Sequence, residues 1–188
     1  LGLSGIYVSN SGSDANGDGS LNNPYKTIQF GINVASNGQS VNLFPGTYSG
    51  PGNTNLSMQG KNIVLQSIGG PFQTAIDGFG TASGFLLNSG ETVSTVIRGL
   101  TIKNCVPTSK TGSAIFVEDN SGISVRKCIF KNNGLGASSS FASVIKLGDN
   151  QTSGPQSAID SCIFYQNTSA LIHSTKKSWY ARYCLFQE

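Results

Sequence analysis

The spacing Asp14-x-Asn16-x-Asp18-Gly19 has the form of the first half of a calcium loop. Alternating oxygen side chains supply ligands, and the glycine makes the turn. Position twelve of such a loop is Tyr25, where a bidentate glutamate is wanted, and no incoming helix precedes it. A structural turn rich in Asx residues therefore outweighs a weak calcium site at Asp14, Asn16 and Asp18. Carboxylates for acid–base work are scarce, with only nine Asp plus Glu in the chain. Asp119 and Asp149 share a repeat position, Glu118 adjoins the first, and Lys146 lies near the second. Opposed carboxylates would serve a glycosidase, and carboxylates with calcium and a lysine base would serve a lyase. Stacked acids beside Asn120 and Asn150 are more often plain surface groups. No catalytic residue is assigned; if the chain is an enzyme, the candidates are Asp119, Asp149 and Lys146. His173 is the only histidine and aligns with Val117 and Leu147. That alignment makes it a partly buried residue rather than a base, and a Ser-His-Asp arrangement has little support.

Cys128, Cys162 and Cys184 occupy one slot of a repeat, and Cys105 does not. Three readings stay open. Buried free thiols pack as small apolar residues. Neighbouring rungs also fall within the Cα separation of about 4.4–6.8 Å that a disulfide accepts. Metal capture by three thiolates is the least favoured. The sequons at Asn55, Asn150 and Asn167 are glycosylation candidates and fit a secreted glycoprotein. Trp179, Tyr180, Tyr183 and Tyr165 gather near the C-terminal end of the sequence. They are candidates to stack on glycans or anchor a partner, with Trp179 equally suited to plug a loop.

The elements that must position these residues are short strands. Four segments superpose: Arg98-Gly-Leu-Thr-Ile-Lys-Asn104, Arg126-Lys-Cys-Ile-Phe-Lys-Asn132, Asp160-Ser-Cys-Ile-Phe-Tyr-Gln166 and Arg182-Tyr-Cys-Leu-Phe-Gln-Glu188. Their unequal spacing marks a solenoid with loops of different length. Apolar runs beginning at Phe85, Ala114, Val144 and Ala170 supply a second strand per repeat. Ile97, Val125, Ile159 and Ala181 share one buried slot, and Ile102, Phe130, Phe164 and Phe186 share another. Arg98, Arg126, Asp160 and Arg182 form an outward row. Earlier strand-like runs begin at Ile6, Val41, Thr47, Leu56, Asn62 and Thr74. Pro24 to Ala35 is the one persuasive helix, with Ile28, Gly31, Ile32 and Ala35 on one face. Parallel strands without crossover helices predict an all-β parallel β-helix of five to six coils. The helix would cap its N-terminal end. Residues 1–188 read as a single domain, with 1–38 forming strand, polar loop and cap helix and 39–188 the coils. The repeat stops short at Glu188, so further coils follow or a like molecule covers that end.

Composition bounds the partners. Charged residues are 11% and the formal charge is +3, too small an excess to imply nucleic acid. No apolar run of about 18 residues exists to insert in a membrane.

The stretches Ile6-Tyr-Val-Ser-Asn-Ser-Gly-Ser-Asp14, Gly17-Asp-Gly-Ser20, Pro24-Tyr-Lys-Thr-Ile-Gln29 and Val41-Asn-Leu-Phe-Pro-Gly-Thr-Tyr48 resemble the start of secreted β-helix proteins of the pectin-lyase-like superfamily. Gly70-Pro-Phe-Gln-Thr-Ala-Ile-Asp77 and Val96-Ile-Arg-Gly-Leu-Thr-Ile102 continue the likeness. The resemblance implies a right-handed coil with three short sheets. Gly112-Ser-Ala-Ile115 with Phe130-Lys-Asn-Asn133, and later Phe164-Tyr-Gln-Asn167, resemble the repeats of polymorphic outer-membrane proteins and similar surface adhesins. The superfamily holds lyases, hydrolases and non-catalytic surface proteins, and fold alone does not choose among them. The expectation is a non-catalytic extracellular or cell-surface structural and adhesion module, self-assembling end to end into a filament. No cofactor is expected beyond the weak calcium site. The alternative is a polysaccharide lyase-like enzyme or a glycan-binding domain.

Overall fold

Each rung of the molecule is laid down by the same alternation. Inward apolar residues alternate with outward ones over two to five residues, and a tight corner then redirects the chain. The computed structural model describes residues 5–106, 112–118, 120–134, 143–148, 156–168, 170–174 and 179–187. Strand β1 (Ile6–Val8) and helix α1 (Ile28–Val34) come first. The first coil is β2 (Ser40–Leu43), β3 (Gly46–Ser49) and β4 (Leu56–Ser57), and the second is β5 (Val64–Ser67), β6 (Thr74–Asp77) and β7 (Phe85–Leu87). The third is β8 (Val96–Arg98), β9 (Thr101–Lys103) and β10 (Ile115–Val117), and the fourth is β11 (Ser124–Arg126), β12 (Ile129–Lys131) and β13 (Ser143–Leu147). The fifth is β14 (Ser157–Asp160), β15 (Ile163–Tyr165) and β16 (Ala170–Ser174), followed by β17 (Trp179–Arg182) and β18 (Leu185–Gln187).

Strands of equal rank pair in parallel. They form a first sheet β1-β2-β5-β8-β11-β14-β17, a second sheet β3-β6-β9-β12-β15-β18 and a third sheet β4-β7-β10-β13-β16. The architecture is a right-handed parallel β-helix with five complete coils and part of a sixth. The register is the one the repeat predicts: Val125 lies against Ile159 and Phe130 against Phe164. Phe130, Phe164 and Phe186 stack as a column, with ring centroids 4.9 and 5.1 Å apart. Burial of such columns drives folding at roughly 25 cal/mol per Å² of apolar surface.

The corners repeat as strictly as the strands. Gly99, Lys127, Ser161 and Tyr183 adopt φ values of 67°, 52°, 55° and 53° between the first and second sheets. Three of these four carry a side chain in a region that glycine favours. At the next corner, Asn133 and Asn167 form an asparagine ladder. The Asn133 Oδ1 accepts the Cys105 N–H at 3.0 Å, and its Nδ2 donates to the Ile102 carbonyl at 2.9 Å. Asn167 repeats this toward the Asn133 N–H and the Phe130 carbonyl, each at 2.9 Å. Each buried backbone group at the corner thus gains a partner from the next rung.

The helix is shorter than Pro24 to Ala35. Thr27 caps it, its hydroxyl accepting from the Phe30 N–H, and Ala35 is already extended at φ −65°, ψ 140°. Asp14 accounts for the late start. Its carboxylate accepts the backbone N–H groups of Lys26 and Thr27 and the Thr27 hydroxyl, all within 2.8–3.0 Å. At the other end, Lys61 Nζ bonds the Ile32 and Asn33 carbonyls at 2.8 Å each, where a cation suits the helix terminus. A Cβ on Gly31 would approach Val8 Cγ2 to 2.7 Å, so the helix sits too close to the first sheet for any larger residue there.

One register expectation fails. His173 lies opposite Lys146, in the row of Phe116 and Leu86, and Ser174 takes the place beside Leu147. The apolar run that guided the alignment is preceded by Ser143, which already belongs to the five-residue β13. The pairing therefore slips by one and turns the histidine outward.

Candidate functional site

The second sheet carries two outward rows. Thr47, Ala75, Thr101, Ile129, Ile163 and Leu185 form a mostly apolar one. Ser49, Asp77, Lys103, Lys131, Tyr165 and Gln187 form a polar one. The loop before β6 raises one wall. Ser67 Oγ accepts the Gly69 and Gly70 N–H groups at 3.0 and 2.8 Å and lies 2.6 Å from the Thr74 hydroxyl. The Thr101 hydroxyl donates to the Pro71 carbonyl at 2.6 Å, fixing the loop over the strands. Phe72 projects from this loop with 88% of its surface exposed. The result is a groove of about 550 Å³ running across β6, β9, β12 and β15.

Its charges are arranged rather than scattered. Lys103 Nζ lies 3.2 Å from Asp77 Oδ2. Asp77 Oδ1 accepts the Asn104 amide and the Phe79 N–H, each at 2.9 Å. Burial alone would raise the Asp77 pKa. The Asn104 and Phe79 hydrogen bonds and the Lys103 charge outweigh it and hold the carboxyl below its ordinary value. Lys131 Nζ lies 5.3 Å from the centre of the Tyr165 ring, a cation–π contact. Two ammonium groups, hydroxyl and amide donors, and the Tyr165 and Phe72 rings thus converge on one trough. That combination can hold an extended polar polymer. Asp77 lies buried behind the trough, occupied by three partners, and the described lining residues include no acid.

The other sequence candidates are dispersed. Asp119, Asp149 and Asn150 lie outside the described residues. Lys146 belongs to the third sheet, is 5% exposed, and sits 5.7 Å from the centre of the Phe116 ring. Asp14 is engaged at the helix start. Asp18 Oδ1 accepts the Ser20 N–H at 2.8 Å, and the Ser20 contacts lower its pKa. The Asn16 carbonyl accepts the Asn23 amide at 3.0 Å. These bonds describe a turn held together by its own side chains. Asn55 is exposed and its Oδ1 accepts the Ser83 N–H at 3.1 Å. Asn167 is a member of the asparagine ladder.

The four aromatics part company. Tyr165 lies in the groove. Trp179 starts β17 and packs against the core. Arg182 covers the Tyr180 ring at 4.7 Å, and Tyr183 stands 85% exposed at the corner. The four cysteines are free. Cys128, Cys162 and Cys184 stack, each sulfur 3.4 Å from the carbonyl two residues before it. No three His, Cys, Asp or Glu side chains gather into a metal-ligating group among the described residues. Burial raises the Cys105 thiol to about 12. Contact with Cys128, together with burial, also pushes Cys162 upward.

No known family model and no curated protein matches the chain. The structure is similar to a solved rhamnogalacturonan lyase at a TM-score of 0.52 and 15% identity. The match covers 99% of this chain and 50% of that one, so the chain spans half the length of the lyase. At that identity the likeness establishes a pectate-lyase-like β-helix fold.

Proposed function

We propose that this chain is a non-catalytic β-helix module of an extracellular or cell-surface protein, and that it works by adhesion, holding a glycan in the groove of the second sheet. The groove carries the reading. Its rows are straight because the strands are in register, and Tyr165 and Phe72 offer ring faces for sugars while Lys103, Lys131 and Gln73 offer donors. Calorimetric titration with neutral β-linked and with galacturonate oligosaccharides tests it. Tyr165→Ala should abolish the heat of binding while leaving the fold intact. Absence of binding by the unaltered protein, or unsaturated product in the mixture, would reject the reading.

A lyase is the second reading, favoured by the structural likeness to one. It places chemistry on the third sheet near Lys146, with Asp119 and Asp149 as the acids and calcium as a candidate cofactor. Calcium-dependent eliminative cleavage of a polyuronate, lost in Asp149→Asn, would establish it; turnover unchanged by that substitution would remove the site.

The adhesion reading includes cover for the last coil, from further coils or from a like molecule. Phe186 and Leu185 are each 49% exposed there, and a rung laid on them would bury both. The N-terminal sheet edges are already bonded to loop and helix groups. A like molecule would therefore meet this coil tail to tail, and a head-to-tail filament would require the cap to open. Sedimentation across a concentration series distinguishes the monomer from both.

A further inference from the structure

The corner between the first and second sheets carries five cations over two rungs. Arg98 and Lys103 belong to one coil, and Arg126, Lys127 and Lys131 to the next. Residues 96–106 and 120–134 contain no Asp or Glu. Strand pairing sets Arg98 opposite Arg126 and Lys103 opposite Lys131. Each pair of like charges is thus held at one strand spacing, about 4.8 Å. Like charges directly opposite each other destabilise a sheet. On the second sheet Asp77 and Tyr165 relieve that repulsion. On the first sheet the one acid in the row is Asp160, which stands beside Arg126, while Arg98 pairs only with Gln66 and Arg126. Arg98, Arg126 and Lys127 are exposed, and the one ion pair among the described residues is Lys103 with Asp77. Arg126 Nε is steadied by Ser124 Oγ at 2.9 Å, on its own strand. Asp160 follows in register after Arg126 but forms no ion pair with it, and its Oδ1 accepts the Ser161 hydroxyl at 3.3 Å.

We propose that Arg98, Arg126 and Lys127 form a rail that binds a sulfated polysaccharide laid along the coil axis. The inference rests on the adhesion reading and adds to it a second face and a class of glycan. Charge density selects the class. Three cations lie over two adjacent rungs, and a polymer with one carboxylate per sugar would leave part of that charge unmatched. Sulfated sugars carry more than one anion per repeat, and guanidinium forks suit oxyanions. Single-stranded nucleic acid is the weaker fit, because it needs successive aromatic platforms and the three-residue rail has none.

Heparin is the probe. The protein should bind immobilised heparin and elute with salt. Arg98→Gln should weaken binding about fivefold, since charge-assisted contacts to an oxyanion are lost. Among the described residues the Arg98 side chain makes no hydrogen bond or ion pair, so the variant should keep its fold. Lys26→Gln removes another exposed charge, from the N-terminal loop, and should change nothing. Equal losses in the two variants would reduce the effect to net charge and overturn the proposal. So would competition by polygalacturonate or single-stranded DNA as effective as that by dextran sulfate. Heparin binding that survives Tyr165→Ala separates the rail from the groove, so either can fail alone.

Discussion

At the N-terminal end of the coil stack, the outer edge of each sheet meets a bonded group. Tyr7 of β1 donates to the Gly19 carbonyl at 2.9 Å and accepts from the Tyr25 N–H at 3.0 Å. Asn10 donates to the Thr47 carbonyl of β3 at 2.9 Å. Gln29 of α1 imitates a strand for β4, its amide bonding both the Ser57 N–H and the Ser57 carbonyl at 3.0 Å. At the C-terminal coil, the outer edges of β17 and β18 meet no such group among the described residues. The contrast teaches that in this fold an end is closed by polar side chains that copy backbone geometry as much as by apolar cover. An unpaired strand edge is a template for another chain or for further coils of the same one.

The comparison breaks most readily at the cap. Ile32→Ala, on the buried face of α1, should cost about 2–5 kcal/mol in urea unfolding. Phe186→Ala at the far end should cost well under half as much, because its ring is half exposed. Equal losses would mean that the ends are energetically alike. Gln29→Ala should cost about 1–3 kcal/mol by stranding the Ser57 backbone groups. It should also make light scattering rise with concentration, whereas a scattering trace like that of the parent protein would show the β4 edge to be protected by other means. The interior between the ends carries a pH signature. Asp77 titrates below 3.8 in the folded state, so its contribution is complete above that value and is lost as pH falls through the lower folded pKa. Asp77→Asn should flatten this part of the acid limb in pH-dependent unfolding. A limb of unchanged slope would assign the dependence to other acids. The smallest effect is kinetic and leaves stability untouched. Cys184, partly exposed in the last coil, should react with a thiol reagent before Cys105, Cys128 and Cys162, which are buried. Simultaneous labelling of all four would show that the coils open together.

Much of the fold was legible because parallel pairing puts equivalent residues in equal slots. Val125 over Ile159 and Phe130 over Phe164 follow from aligning four segments. The second half of the Phe-x-x-Asn motif proves to be the asparagine ladder, a backbone device written in side chains. His173 was misplaced because apolar content marks where a strand is buried, not where pairing begins. The groove was not anticipated. Lys103, Lys131 and Tyr165 do share the sixth position of the aligned segments, which was the available signal. The Asp77 pair and the Phe72 wall come from an earlier coil that the alignment did not include. Three-dimensional proximity there depends on how the loop before β6 folds back, and Ser67 decides that through hydrogen bonds with no periodicity.

The direction of the inter-rung bonds has a mechanical consequence. They lie along the stack axis, so tension applied from end to end loads them one layer at a time. The layers resemble nearest-neighbour units, each held by the one before it. Among the described residues no side chain clamps β17 and β18, so within residues 5–187 rupture should begin there and travel toward Gln29 as a series of small steps. The molecule would pay out length gradually under load, with the clamped terminus the last to yield.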